Sequence, residues 1–184
     1  MANGIIEKGS AGLFENEIEF NGKYAVMVRS LREEIGLFAS FREVYVISAI
    51  VGFLNDCKMT EDAHDSVQAA SIFPNELSKR KQDLRFIYRL IMLLREEPDY
   101  TLEDYKNRAF KDDPEDNMDI IKQNMVLFNS YVCGGVEYLY KEFENCSRVE
   151  DVVDKLYELL HEFSAAIGLV EDDIALPDFT PDFE

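Results

Sequence analysis

Val44 to Leu54, VYVISAIVGFL, has no polar face, and this stretch constrains the fold more than any other part of the chain. A helix that is apolar on every side must be enclosed by other elements, so it predicts a central, buried position. The β-branched run at its start also suits a buried strand, and periodicity does not separate the two over so short a length. The preceding residues decide it. Ser40-Phe41-Arg42-Glu43 has the form of a capping box, in which the Ser hydroxyl accepts from a free backbone N–H and the Glu turns back to another.

The neighbours of that helix follow from spacing. Tyr24, Met27, Val28, Leu31, Ile35 and Phe38 fall on one helical face and predict a helix over about 24–38. A competing local signal places alternating residues on both sides of Asn21-Gly22, as in a small hairpin. The glycine-containing residues 1–23 otherwise read as an N-terminal arm. Asn55 to Asn75 reads as a polar loop with one helical turn, and Glu76 to Glu97 as a long helix stopped by Pro98.

Thr101 caps a short helix ending near Lys111. Asp113-Pro114-Glu115-Asp116 is a further start signal, with an acidic cap and Pro at the first helical position. From there Met118, Ile121, Met125, Phe128, Val132, Gly135, Leu139 and Phe143 alternate by three and four, forming a bundle-type seam. Gly134-Gly135 lies inside it at roughly 1 kcal/mol per Gly relative to Ala, so the pair implies a kink or a close approach of another backbone. Ser147-Arg148-Val149-Glu150 reads as another capping box, opening a helix with Val149, Val152, Leu156, Leu159, Leu160, Phe163 and Ile167 on one stripe and Gly168 at its end. The expected fold is all-α: a single-domain bundle of five to seven helices over 24–168, followed by an acidic flexible tail, 169–184.

Charge is partitioned along this plan. Residues 24–98 carry 10 Lys/Arg against 11 Asp/Glu, and residues 99–184 carry 7 against 22, which accounts for most of the net charge of -18. Such a balance speaks to partners and not to chemistry. Lys81, Arg85 and Arg89 are spaced by four and form a strip about 80° wide, with Lys79 and Arg80 beside its start. A row of this kind suits a phosphate backbone, or an acidic surface in this chain or in another copy. Asp113, Glu115 and Asp116 are candidate partner-binding acids, with DNA mimicry as one reading of the acidic surface. Phe179 and Phe183, flanked by acids, are candidates for docking into a basic, apolar groove.

The residues do not spell out a catalytic centre. His64 and His161 lack ligand spacing, Cys57, Cys133 and Cys146 lack a CxxC pattern, and no phosphate-binding or nucleophile motif occurs. No cofactor or metal is expected, and an enzyme is disfavoured, although a site assembled from scattered residues escapes such a search. Three cysteines without pairing spacing fit a reducing cytoplasm, and no stretch predicts a membrane span.

LFASFREVYVISAIVGFL (Leu37 to Leu54) and YVCGGVEYLYKEF (Tyr131 to Phe143), together 31 of the 184 residues, resemble the small helical family called Dnd system-associated protein 4. The resemblance implies a cytoplasmic accessory protein of bacterial DNA phosphorothioation and restriction, acting in DNA modification or anti-phage defence. It implies no catalytic residue. The expected role is a non-catalytic interaction subunit that assembles with itself or with a protein of a DNA-processing complex. A DNA-binding module using the basic strip and an acidic decoy are the alternatives.

Overall fold

The computed structural model describes residues 5–7, 12–62, 69–111 and 114–166. It is mostly helical, and its contacts divide the chain into two compact units, residues 1–145 and 146–184. Among the described residues, no helix is long and apolar enough to cross a membrane.

In the first unit the competing signals around Asn21-Gly22 are each half realised. Ile18–Phe20 is a strand, β2, with Ile18 and Phe20 buried. Its partners are β1 (Ile5–Glu7) and β3 (Ala70–Ile72), both antiparallel, in the order β1-β2-β3. No hairpin forms across Asn21-Gly22. Instead Gly22 takes φ +54 and opens α1 (Gly22–Arg29). A Cβ at Gly22 would lie 2.1 Å from Asp62 Oδ2, and that carboxylate accepts from the Lys23 N–H at 2.9 Å. A side chain distant in sequence therefore satisfies one of the free donors at the start of α1.

The helix expected over 24–38 changes character within its length. After α1, Ser30–Glu34 forms a π-helical turn, closed by the Ile35 N–H on Ser30 O at 2.9 Å. Gly36, at φ +74, then ends it two residues before Phe38. The wider turn rotates the apolar stripe: Tyr24, Val28 and Leu31 are buried, while Ile35 and Phe38 are only half-buried.

α2 (Phe41–Leu54) begins at Ser40 as expected, the Glu43 N–H donating to Ser40 Oγ at 3.3 Å. The Glu43 carboxylate turns back one residue further than a capping box requires and accepts from the Ala39 N–H at 2.9 Å. The helix packs against α6 (Pro114–Phe143) above all, and also touches α1, α4 (Lys81–Leu94), β3 and the π turn, so it is the central element. Its enclosure is incomplete, since Ile47 and Leu54 are 39% and 49% exposed.

The long helix expected over 76–97 is two helices, α3 (Pro74–Ser78) and α4 (Lys81–Leu94), broken where Arg80 adopts φ -130, ψ 24. α5 (Leu102–Phe110) has the full reciprocal cap between Thr101 and Asp104. α6 (Pro114–Phe143) is kinked at Asn117, which has φ -129, ψ 23. Beyond that break the predicted seam holds: Ile121, Met125, Phe128, Val132, Gly135, Leu139 and Phe143 are all buried.

The two central helices meet at glycines. A Cβ on Gly135 would stand 1.9 Å from Ser48 O, and one on Gly52 would stand 2.0 Å from Tyr131 O. Gly134 faces the segment that follows α2, its Cβ position lying 2.0 Å from Cys57 O. Close backbone approach, not a kink at this point, accounts for the pair.

The segment expected to be an arm supplies core. Leu13 and Phe14 are buried, and the Phe14 ring meets Tyr45, Tyr88 and Phe128 edge-on with centroids 6.5, 6.2 and 5.9 Å apart. Phe14 holds φ +59, a left-handed conformation that costs a bulky residue roughly 1–2 kcal/mol, offset here by complete burial of the ring in an aromatic cluster.

In the second unit α7 (Val149–Ala166) starts one residue later than the expected box. Asp151, not Glu150, folds back, accepting from the Arg148 N–H at 3.2 Å and from the Arg148 guanidinium at 2.7 Å. Among the described residues of its predicted apolar stripe only Leu159 is buried; Val149, Leu156 and Leu160 are exposed. Ile167, Gly168 and the tail 169–184 lie outside the described residues.

Candidate functional site: the charged face of α4

α4 is amphipathic in three bands, because its apolar residues occupy two separate faces. Leu84, Tyr88, Ile91 and Met92 form the buried band. Phe86, Leu90 and Leu94, spaced by four, form a second apolar band that faces outward at 66%, 40% and 57% exposure. Lys81, Arg85 and Arg89 run between them, at the edge of the core and half-buried. The predicted basic strip thus exists as a row, with an exposed apolar stripe along one side.

Each cation is already engaged. Lys81 pairs with Glu15 in the N-terminal segment, and the Glu15 carboxyl is held below its usual range first by that hydrogen bond and then by the Gly12 N–H. Arg85 adds to the positive field on the same carboxylate. Arg89 lies over the Phe110 ring of α5 at 5.1 Å, a cation–π contact beside a ring that is itself 53% exposed. Arg80, exposed, pairs with Asp83 at 3.2 Å, and Lys79 is exposed beside it. The acid that meets Lys81 thus comes from residues 12–20, and not from the acidic helices after residue 99.

Beyond Leu94 the helix runs into a cleft of about 690 Å³, lined by Leu93, Leu94, Arg95, Glu97, Pro98 and Tyr105, among others. Glu97 Oε1 there binds Arg95 at 2.8 Å and Arg108 at 3.5 Å, while Glu96 adds a further negative charge to the wall.

The other predicted acids are scattered. Asp116 is exposed just before the kink in α6; Asp113, Phe179, Phe183 and His64 lie outside the described residues, as does the side chain of Glu115. Among the described residues no group of three or more His, Cys, Asp or Glu side chains gathers as for a metal ion. Cys133 is buried and Cys57 and Cys146 are half-buried, all as free thiols.

A second cluster was not singled out by sequence reasoning. Glu137 on α6, 8% exposed, accepts from Tyr24 Oη at 2.9 Å and pairs with Lys23, both on α1. Tyr24 Oη also meets Thr60 O at 3.1 Å. Burial alone would raise the Glu137 pKa, but the hydrogen bonds from Lys23 and Tyr24 outweigh it and hold the carboxyl below its usual range. Burial raises both Tyr24 and Cys133 well above their ordinary values, with the negative neighbours Glu137 and, for Cys133, Glu61 adding to it. A single acid inside the apolar run YVCGGVEYLY was the signal that could have marked it. Chemically the cluster is a clamp between α1 and α6: the carboxylate is ionised, and the phenol and thiol stay protonated at neutral pH.

Comparison of the chain with protein-family models, with curated proteins and with solved structures gave no match.

Proposed function

We propose that this protein is a non-catalytic interaction subunit, serving a protein assembly that processes or defends DNA in bacteria. The observation that carries the interaction role is the exposed stripe Phe86, Leu90 and Leu94 beside the cationic row of α4. Aligned exposed apolar side chains rimmed by charge are the ordinary make-up of a protein contact: the apolar core supplies burial and the rim supplies orientation. The DNA-defence setting rests on the resemblance of Leu37 to Leu54 and Tyr131 to Phe143 to the Dnd system-associated family.

Direct DNA binding is the second reading, favoured by the row Lys81, Arg85 and Arg89. It is weakened by the engagement of Lys81 with Glu15 and of Arg89 with Phe110, since cations already paired release fewer counterions on meeting phosphate. Tagged protein expressed in cells carrying a phosphorothioation and restriction island tests both. Capture of a DNA-processing component, lost in Phe86→Glu and Leu90→Glu and retained in Arg85→Glu, is expected. Capture indifferent to the stripe, together with a salt-sensitive DNA gel shift abolished by Arg85→Glu and Arg89→Glu, would establish the second reading in its place.

A further inference from the structure

We propose that α4 of one copy receives α7 of a second copy, so that the protein assembles with itself through two unlike helical faces. The inference rests on the reading of the α4 stripe as a docking surface and names one occupant for it.

Three observations select that occupant. α7 carries its own exposed apolar stripe, Val149, Val153, Leu156, Tyr157 and Leu160, with exposures of 77%, 57%, 37%, 56% and 48%. At about 100° per residue these five side chains span roughly 100° of the helix surface, against about 80° for Phe86, Leu90 and Leu94 on α4. The lengths also correspond: at 1.5 Å per residue, Phe86 to Leu94 extends about 12 Å and Val149 to Leu160 about 16 Å. One stripe can therefore lie along the whole of the other.

Charge supplies the direction of the choice. Beside the α7 stripe run the exposed acids Glu150, Asp154 and Glu158; beside the α4 stripe run Lys81, Arg85 and Arg89, half-buried and already engaged within their own copy, so they complement the acid rim through their positive field and not through new ion pairs. From Val149 to Ala166 there are five acids (Glu150, Asp151, Asp154, Glu158, Glu162) and one Lys, whereas Lys79 to Leu94 holds five cations and one acid, Asp83. Antiparallel pairing of α7 with α7 would bring acid edge to acid edge, and antiparallel pairing of α4 with α4 would bring cation edge to cation edge, both opposed by like charge. The unlike pair, with the two helices parallel, buries both apolar stripes and brings opposite rims together. Because the two faces differ, the contact is heterologous; it closes as a reciprocal dimer or continues as a chain of copies.

That asymmetry makes a complementation experiment decisive. Purified full-length protein is followed by sedimentation velocity over a concentration series at low and high salt. The wild type is expected to self-associate, more weakly as salt rises. Leu90→Glu on α4 and Leu160→Glu on α7 are each expected to prevent self-association, while Val126→Glu, at an exposed site on α6, leaves it unchanged. Mixed in equal amounts, the two defective variants are expected to form a one-to-one complex, since one retains an intact α7 and the other an intact α4. Circular dichroism of each variant checks that it is folded, and Leu156→Glu serves if Leu160→Glu is not. A wild type that remains a monomer throughout, a mixture that fails to complex, or association indifferent to both helices would overturn the proposal. If self-association is absent while Leu90→Glu still abolishes capture of a DNA-processing protein, only this inference falls. If Leu90→Glu alters neither measurement, the interaction role falls with it.

Discussion

Replacing Gly135 with alanine sets two effects of opposite sign against each other. In an isolated helix the change would add roughly 1 kcal/mol of stability, because Gly has far more backbone freedom to lose than Ala. In this structure the new methyl would stand 1.9 Å from Ser48 O, 2.6 Å from Ser48 C and 2.9 Å from Gly52 N. An ordinary contact is about 3.5 Å, so α2 and α6 would have to part by roughly 1.5 Å along the most extensive contact in the molecule. A gap of even 0.5–1 Å forfeits about a quarter to a half of each dispersion contact it opens, and overpacking a well-filled core typically costs about 1–3 kcal/mol. Here the obstacle is backbone, which cannot swing aside as a side chain does, so the upper figure of about 3 kcal/mol applies. Subtracting the propensity gain leaves a net loss of about 2 kcal/mol, or roughly 4–8 °C in Tm for a chain of this size. Urea and thermal unfolding followed by circular dichroism at 222 nm measure it. Gly52→Ala should behave alike, and the double variant should cost less than the sum, because the first methyl already parts the helices. Val126→Ala, at a site 69% exposed on the same helix, should be neutral or slightly stabilising. A Gly135→Ala protein as stable as the wild type would refute the close approach of the two backbones.

Glu137→Gln keeps the shape but removes the charge that Lys23 and Tyr24 hold, and is expected to lose about 2 kcal/mol by chemical denaturation, the range for hydrogen bonds to an ionised group. A loss below 0.5 kcal/mol would show that the clamp does not stabilise the fold. Acid and alkali act on that clamp with opposite signs. The folded Glu137 pKa is lowered, so its contribution is present above the unfolded value of about 4.3 and is lost as pH falls through the folded value. The Tyr24 and Cys133 pKa values are raised, so their contributions are complete below about 8.5 for the thiol and about 10 for the phenol, and are lost as pH rises beyond. Melting temperature against pH should therefore fall from about pH 8.5 upward, and Cys133→Ala should flatten the first part of that decline; an unaltered alkaline limb counts against burial of the thiol. Thr101→Ala removes the acceptor for the Asp104 N–H, with an expected cost of about 1 kcal/mol confined to α5 and readable as faster amide exchange over residues 102–105.

The elements read correctly from sequence are those whose signals are local and repeated. Ser40 and Thr101 cap the helices that follow them because a cap is a contact across three residues. The seam from Ile121 to Phe143 is long enough for the helical period to accumulate. Where sequence reasoning failed, the deciding partner was far away. β2 looked like half of a hairpin with Lys23 to Val26, yet its hydrogen bonds go to residues near positions 6 and 71. β3 has three residues, too few for alternation to declare itself. The break between Ser78 and Lys81 carries neither Pro nor Gly and has no local cause to read. Nor is the three-banded character of α4 visible in its spacing, because Phe86 and Leu90 are as apolar as Leu84 and Ile91 and only packing tells the exposed pair from the buried one.

Sequence alone determined that this chain is mostly helical, that Val44 to Leu54 is its centre, that a row of cations runs along one helix, and that Gly134-Gly135 has a structural reason. These follow from periodicity, capping and propensity, which act over a few residues. Tertiary structure alone decided which backbone the glycines admit, which acid neutralises Lys81, where Glu137 finds its lysine and tyrosine, and which apolar stripes stay uncovered. Each of those depends on residues brought together from separate elements, and burial against a distant partner leaves no mark in the order of neighbouring residues.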